Sequence, residues 1–111
     1  MAQKLTNYLR TYRKRAGLNQ GEMAFLLGTT DGSRVSRYEQ FDREPELPTA
    51  LAYEIIFRAP TDQLFAGLYE GMEQRVRERA DLLVQRLESE PLTPLSKQKL
   101  TALRNLISKD Q

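Results

Sequence analysis

The chain contains neither cysteine nor histidine. Without cysteine it can form no disulfide bond and no thiolate metal site, and without histidine it lacks the commonest general base and the commonest nitrogen ligand for metals. No apolar run approaches the roughly 20 residues that a membrane-spanning helix needs, and the amino terminus shows no secretory pattern. The sequence therefore predicts a cytoplasmic protein that has no enzymatic activity and uses neither a metal nor a cofactor.

The composition favours a folded chain with a polyanionic partner. Of the 111 residues, 40% are hydrophobic and 29% are charged, which suffices for one compact domain or for a small domain with a helical appendage. The net charge of +2 is unevenly distributed, because residues 1–43 carry eight Lys or Arg and four Asp or Glu, whereas residues 44–111 carry nine and eleven. A basic first part on a near-neutral remainder favours nucleic acid as the partner.

Helical periodicity dominates the chain, and no segment shows the sustained alternation of a strand, so the sequence predicts an all-α fold. Gly17 and Gly28 suit the left-handed ends of the first two helices, and Asn19 with Glu22 forms a capping-box pattern. Asp31 is a good amino-terminal cap for the third helix. The apolar spacing predicts seven helices, at about 3–16, 19–27, 32–41, 48–57, 61–66, 67–90 and 95–108.

The character of the sequence changes near residue 66, which divides the chain into a domain of residues 1–66 and a helical extension of residues 67–111. The first helix of the extension has an apolar stripe with spacings of four, four, four, three and four. Such a stripe is closer to a helix lying on a globular surface than to a coiled-coil seam. Because a two-helix hairpin alone leaves apolar surface open, we expect the extension to pack on the first domain or to dimerise.

Five segments of the first part resemble consecutive pieces of one known family. They are Gly17-Leu18-Asn19-Gln20-Gly21-Glu22-Met23-Ala24, Val35-Ser36-Arg37-Tyr38-Glu39, Arg43-Glu44-Pro45, a helix beginning near Pro48, and Asp62-Gln63-Leu64-Phe65. Through this ordered set, residues 5–65 resemble the Xre/Cro-type helix-turn-helix family, which includes the lambdoid phage repressors. The resemblance implies a five-helix DNA-binding domain whose second helix braces against the DNA backbone and whose third helix, at about 32–41, reads the major groove. The two helices need a small residue where they touch, and Ala24 suits that place.

The exposed start of this recognition helix carries the predicted base-contacting residues. These are Ser33 and Arg34, with Arg37 one turn further on. Arginine can bind guanine O6 and N7 with two hydrogen bonds, which gives about 1–3 kcal/mol of discrimination. The alternative for either arginine is that it lies along the DNA backbone or pairs with Asp31.

Phosphate contacts are expected at the amino end of the second helix, where free amides and the helix dipole favour an anion. Asn19 and Gln20 lie there, and the resemblance implies that Gln20 binds a phosphate. Arg10, Lys14 and Arg43 are predicted to be flanking phosphate contacts. The alternative for each of these three is a solvated charged face.

The resemblance also implies a structural ion pair, in which Arg13 and Glu39 tie the first helix to the recognition helix. The turn between the second and third helices is less certain in its register, because the stretch 29–32 holds one residue more than the family pattern. Asp31 and Ser33 are therefore both open as the start of the recognition helix.

Two further departures from the family concern helix ends and apolar surface. Phe41 and Arg58 stand near positions where the family ends helices with glycine, so we expect these helix ends to be built differently. Phe25 and Leu26 stand where the family has polar side chains. We expect the carboxy-terminal helices, from the same chain or from a partner, to cover at least one of them; the alternative is a lone exposed Phe25 beside a Leu26 that belongs to a wider core.

Together these features predict a sequence-specific, duplex-DNA-binding transcriptional regulator, either a repressor or an antitoxin-like autoregulator. We expect a homodimer formed mainly through residues 67–108, because twofold-related copies read half-sites about 34–36 Å apart. The same segment and the Phe25–Leu26 pair are the expected surfaces for any other protein partner. The alternative is a protein-interaction module on the same fold without DNA binding, which the acids Asp42, Glu44 and Glu46 near the presumed DNA face leave open.

Overall fold

A computed structural model of the chain describes residues 4–108 and confirms the all-α fold. Within this range there are seven helices and no strand. None of these helices is both long enough and apolar enough to cross a membrane. The helices are α1 (Leu9–Arg15), α2 (Gln20–Leu27), α3 (Ser33–Glu39), α4 (Leu47–Phe57), α5 (Thr61–Leu64), α6 (Ala66–Glu88) and α7 (Pro94–Ile107).

The chain forms two compact units, Met1–Glu70 and Gly71–Gln111. The boundary lies inside α6, whereas the change in sequence character suggested the junction between residues 66 and 67. The first unit contains α1 to α5 with the first turn of α6, and the second contains the rest of α6 with α7.

Each of the first five helices contributes one fully buried large side chain to the core of the first unit. These side chains are Leu9, Met23, Val35, Tyr53 and Leu64, in the order α1 to α5. Burial of one such side chain stabilises a fold by about 1.5–3 kcal/mol relative to its exposure. The core is therefore shared among the five helices, and Val35 and Tyr38 anchor α3 in it.

The first helix begins later than predicted, because the segment before it makes long-range hydrogen bonds. The helix starts at Leu9, whose amide donates to Asn7 Oδ1 at 3.0 Å, and the predicted start at residue 3 lies outside the described residues. The carbonyls of Leu5 and Thr6 accept from the amides of residues 67 and 68, at 2.8 and 3.1 Å. The segment thus satisfies the first amides of α6, which a helix cannot satisfy internally.

Four helix ends have a left-handed residue, and two of these are not glycine. Gly17 and Gly28 have φ angles of 76° and 78°, as predicted. Phe41 and Arg58 also have positive φ angles, 67° and 52°, so the expectation that these ends are built differently is wrong. A left-handed non-glycine residue costs roughly 1–2 kcal/mol, which the packing of the following segment must offset.

The second unit is a helical pair with little buried surface in its described part. Ala80 of α6 and Leu100 of α7 are the side chains it buries. Thr93 caps α7, where its hydroxyl accepts from the amide of Ser96 at 3.1 Å. An exposed ion pair between Glu88 and Arg104 joins the end of α6 to the last turn of α7.

Candidate functional site

The turn between α2 and α3 settles where the third helix begins. The helix starts at Ser33, and its first amide donates to Asp31 Oδ1 at 2.9 Å. The hydroxyl of Ser33 donates to the same oxygen at 2.5 Å. These two hydrogen bonds, the hydroxyl first, lower the pKa of the Asp31 carboxyl, and the charges of Arg34 and Arg37 add to the effect. The N-cap residue of α3 is Gly32, so the prediction that Asp31 is the cap is wrong; its carboxylate instead bonds the first amide of the helix from one residue further back.

The three predicted base-contacting side chains lie together at the start of α3. Ser33, Arg34 and Arg37 are all exposed, and the two arginines are one helical turn apart. They line one open concavity of about 320 Å³ with Thr29, Thr30 and other residues of the preceding turn. This arrangement gives the concavity two cationic, planar hydrogen-bond donors that face solvent.

Asp31 engages Ser33 rather than an arginine. The ion pairs that the structure gives for residues 4–108 include none between Asp31 and Arg34 or Arg37. Since the Ser33 hydroxyl already donates to Asp31, it can only accept a further hydrogen bond while this contact lasts. Both arginines consequently keep their guanidinium groups available to a ligand.

Beneath this surface, Glu39 at the end of α3 binds side chains from two other helices. Arg13 Nε and Nη2 donate to its two carboxylate oxygens at 2.6 and 3.1 Å, and the two side chains are only 9% and 2% exposed. The hydrogen bond to Glu39 raises the pKa of Arg13. Arg13 Nη1 also donates to the carbonyl of Leu18 at 2.8 Å, and Gln20 Nε2 donates to Glu39 Oε1 at 3.2 Å. The expected pair therefore belongs to a network that joins α1, α2 and α3.

The two residues predicted to bind phosphate at the amino end of α2 differ in their surroundings. Asn19 is exposed, and it forms the predicted capping box with Glu22 through bonds of 2.7 and 2.9 Å. Gln20 is half-buried, and one of its amide protons is directed at Glu39. Gln20 is thus a structural residue as well as a candidate phosphate-binding residue, and its structural role was not predicted from the sequence.

The remaining predicted phosphate contacts lie outside the concavity. Arg10 and Lys14 are exposed and four residues apart, so they share one face of α1. Arg43 is exposed in the segment between α3 and α4. The three predicted base-contacting residues thus lie together in the concavity, whereas Arg10, Lys14 and Arg43 are exposed charges outside it.

Two residues that position the site were not singled out from the sequence for that role. Asn7 is buried, and its Nδ2 donates to the carbonyl of Tyr38 in α3 at 2.9 Å. Gly32 lies so close to Gln20 that a Cβ added there would be 3.2 Å from the Cβ of Gln20. Asn7 stands before an amphipathic helix and Gly32 follows an aspartate, and both of these patterns are local. They did not indicate the contacts with Tyr38 and Gln20, because those residues are distant in the sequence.

The outer side of α2 is apolar and open to solvent. Phe25 is 82% exposed and Leu26 is 49% exposed. Within the described chain Phe25 is therefore uncovered and Leu26 is about half covered, and the expectation that a partner covers at least one of them stays a prediction. Aromatic side chains are enriched in protein interfaces relative to the rest of the surface.

Neither a metal site nor a known relative helps to assign a function to this site. The described part of the chain holds no cluster of three or more carboxylate, histidine or cysteine side chains that could bind a metal ion. No protein-family model matches the chain, and no curated protein or solved structure shows significant similarity to it. The candidate site therefore rests on the residues themselves.

Proposed function

We propose that the chain is a sequence-specific, duplex-DNA-binding transcriptional regulator in which α2 and α3 form a helix-turn-helix and α3 enters the major groove. The observation that carries the proposal is the pair Arg34 and Arg37, exposed one turn apart at the start of α3 in one concavity. Guanidinium groups in this position match the O6 and N7 acceptors of guanine. The regulator is proposed to be a repressor or an antitoxin-like autoregulator, and no enzymatic activity is assigned to it.

The packing beneath α3 supports this role. A base-reading side chain discriminates only if its helix is held in one orientation, because hydrogen bonds weaken steeply with misalignment. Glu39 at the end of α3 is bonded to Arg13 and Gln20, and Asn7 holds the carbonyl of Tyr38. The helix is thus anchored on its inner side, while its arginines remain free on the outer side.

The proposal assigns different roles to the exposed groups. Arg34 and Arg37 read bases, and Ser33 accepts a hydrogen bond from a base amino group while its own hydroxyl continues to donate to Asp31. Backbone phosphates are bound by the amino end of α2, with Asn19 and Gln20, and by the outlying cations Arg10, Lys14 and Arg43. The excess of basic residues in residues 1–43 supports the approach to a polyanion.

In-vitro selection from random duplexes, followed by binding titrations of the selected sequence and its single-base variants, tests the proposal. Arg37→Ala should flatten the preference at one or two positions, where about 1–3 kcal/mol of discrimination is lost. Lys14→Ala should weaken binding to every sequence alike and reduce the log–log salt slope by about 0.9. Arg86→Ala, which removes an exposed arginine of α6, is the control and should change neither.

A second candidate function is a protein-interaction module, which the exposed aromatic ring of Phe25 favours. Such a module should select no duplex, even at low salt.

Two results would contradict the division between base-contacting and phosphate-contacting residues. One is a chain that binds all duplexes with equal affinity. The other is that the Arg37→Ala and Lys14→Ala variants both lose affinity equally for all sequences.

A further inference from the structure

The outer face of α4 carries a row of large apolar side chains that the first unit does not bury. Leu47, Leu51 and Ile55 follow one another at spacings of four, so they lie along one face of the helix. Their exposed fractions are 71%, 48% and 75%. The opposite face of the same helix holds the fully buried Tyr53. We call Leu47, Leu51 and Ile55 the α4 row.

Charged residues of opposite sign flank the α4 row at its two ends. Glu44 and Glu46 precede the helix and are exposed. Arg58 follows the helix, and it lines a shallow concavity with Leu51, Glu54, Ile55, Ala59 and Pro60. The row is therefore preceded by acidic residues and followed by a basic residue, with Glu54 beside its apolar middle.

This pattern is symmetric about Leu51. Leu47 and Ile55 are each four residues from it on the helix, while the acidic residues Glu44 and Glu46 precede one helix end and Arg58 follows the other. A twofold axis through Leu51, perpendicular to α4, would bring two copies of the helix together in antiparallel orientation. Leu47 would then face the partner's Ile55, and Arg58 would lie towards the acidic end of the partner's row. Isologous interfaces require such self-complementarity.

We propose that the α4 row is the interface of a homodimer, in which a second copy of this chain covers it with the same three side chains. The apolar side chains supply the affinity, since burying them removes apolar area from water. The exposed attraction between Arg58 and the acidic end of the partner's row contributes little affinity and mainly fixes the antiparallel register. This inference does not depend on DNA binding, and it places the dimer interface on α4 instead of in residues 67–108, where the sequence suggested it.

Sedimentation velocity of the full-length chain across micromolar concentrations, without DNA, tests the proposal. The wild type should approach twice its mass of 12.8 kDa as the concentration rises. Leu51→Glu places a charge on the twofold axis, opposite its own copy, and should weaken dimerisation by about tenfold or more. Leu82→Glu alters a comparably exposed leucine of α6 outside the row and should leave dimerisation unchanged.

A charge reversal makes the test independent of any folding defect. Arg58→Glu places a carboxylate towards the acidic end of the partner's row and should weaken the dimer, as should Glu44→Arg. The variant with both substitutions should restore it, because the attraction is re-formed with the two charges exchanged. A wild type that stays monomeric, a Leu51→Glu variant that dimerises normally, a double reversal no better than the single ones, or loss of the dimer in Leu82→Glu alone would each overturn the proposal. Binding of the row to a different protein by a monomeric wild type would do the same.

Discussion

Replacing Arg13 by methionine would test the network that holds α3, because methionine keeps an unbranched stem but removes the charge. In the folded chain the Arg13 guanidinium makes two hydrogen bonds to Glu39, at 2.6 and 3.1 Å, and one to the carbonyl of Leu18 at 2.8 Å. Arg13→Met leaves the Glu39 carboxylate, which is 2% exposed, with the neutral amide of Gln20 at 3.2 Å as its remaining donor in this network.

The expected loss follows from that burial. Removing one partner of a buried ion pair typically costs about 3–5 kcal/mol, since the other charge stays desolvated and unpaired. The carbonyl of Leu18 loses its donor as well, for about 1 kcal/mol. Arg13→Met should therefore lower the free energy of unfolding of the first unit by about 4–6 kcal/mol. The double variant Arg13→Met with Glu39→Leu should recover most of that loss, because similar-sized apolar pairs often replace buried ion pairs without net cost.

The chain offers a convenient signal for this measurement. It has no tryptophan, and its five tyrosines, at positions 8, 12, 38, 53 and 69, all lie in the unit Met1–Glu70. Near-ultraviolet circular dichroism and tyrosine fluorescence during urea unfolding therefore report on the first unit alone. The two single variants and the double variant form a thermodynamic cycle that isolates the coupling between the two side chains. A loss below about 1 kcal/mol in Arg13→Met, or a double variant as unstable as either single one, would refute the reasoning.

Four other substitutions probe the packing of the helices and the turn before α3. Gly67→Ala would put a Cβ 2.7 Å from the carbonyl carbon of Leu5, and it should lower the free energy of unfolding by about 1–3 kcal/mol. Gly71→Ala is the matched control, because its Cβ would meet nothing within 4 Å. It should raise the free energy of unfolding by about 0.5–1 kcal/mol. Tyr53→Phe should be neutral or stabilising in the same urea titration, because the buried Tyr53 hydroxyl bonds to none of the described residues; a loss above about 1 kcal/mol contradicts this. Asp31 has a lowered pKa in the folded chain, so its contribution is present above its ordinary value of 3.8 and is lost as the pH falls through the lower folded value. The urea midpoint of Asp31→Asn, which keeps the acceptor oxygen, should accordingly depend less on pH over that acid range than that of the wild type.

The helices could be predicted from the sequence because their apolar spacing is a local property. Their ends could not always be predicted, since an end depends on what the chain must contact next. The start of α1 is delayed to Leu9 because Tyr8 donates its amide to the carbonyl of Leu64, which no local pattern indicates. Phe41 adopts the left-handed conformation because the amide of Asp42 bonds back to the carbonyl of Arg37 at 2.9 Å, which closes α3 as a glycine would.

The candidate site, like the helices, could be predicted from the sequence only where its features are local. The exposed group at the start of α3 was predictable, since the amino end of a helix after a turn presents consecutive polar side chains to solvent. The contact between Gln20 and Glu39 was not, because it joins residues 19 apart in the sequence and depends on how α2 and α3 cross. Gly32 was interpreted as part of a surplus in the turn, although it also packs closely on Gln20, where an added Cβ would make a tight contact of 3.2 Å.

Gln20 therefore links the proposed DNA contact to the packing of α3. A glutamine amide has two N–H donors, so one can stay on Glu39 while the other binds a phosphate at the amino end of α2. The position of the phosphate would then be fixed relative to the end of the recognition helix. Under the proposed function, Gln20→Ala should weaken binding to every duplex and also lower the urea midpoint, because Glu39 loses a donor. Lys14→Ala, which removes an exposed charge from α1, should weaken binding to the same duplexes but leave the urea midpoint unchanged. Gln20→Ala binding with unchanged affinity would remove Gln20 from the interface and leave it a structural residue only.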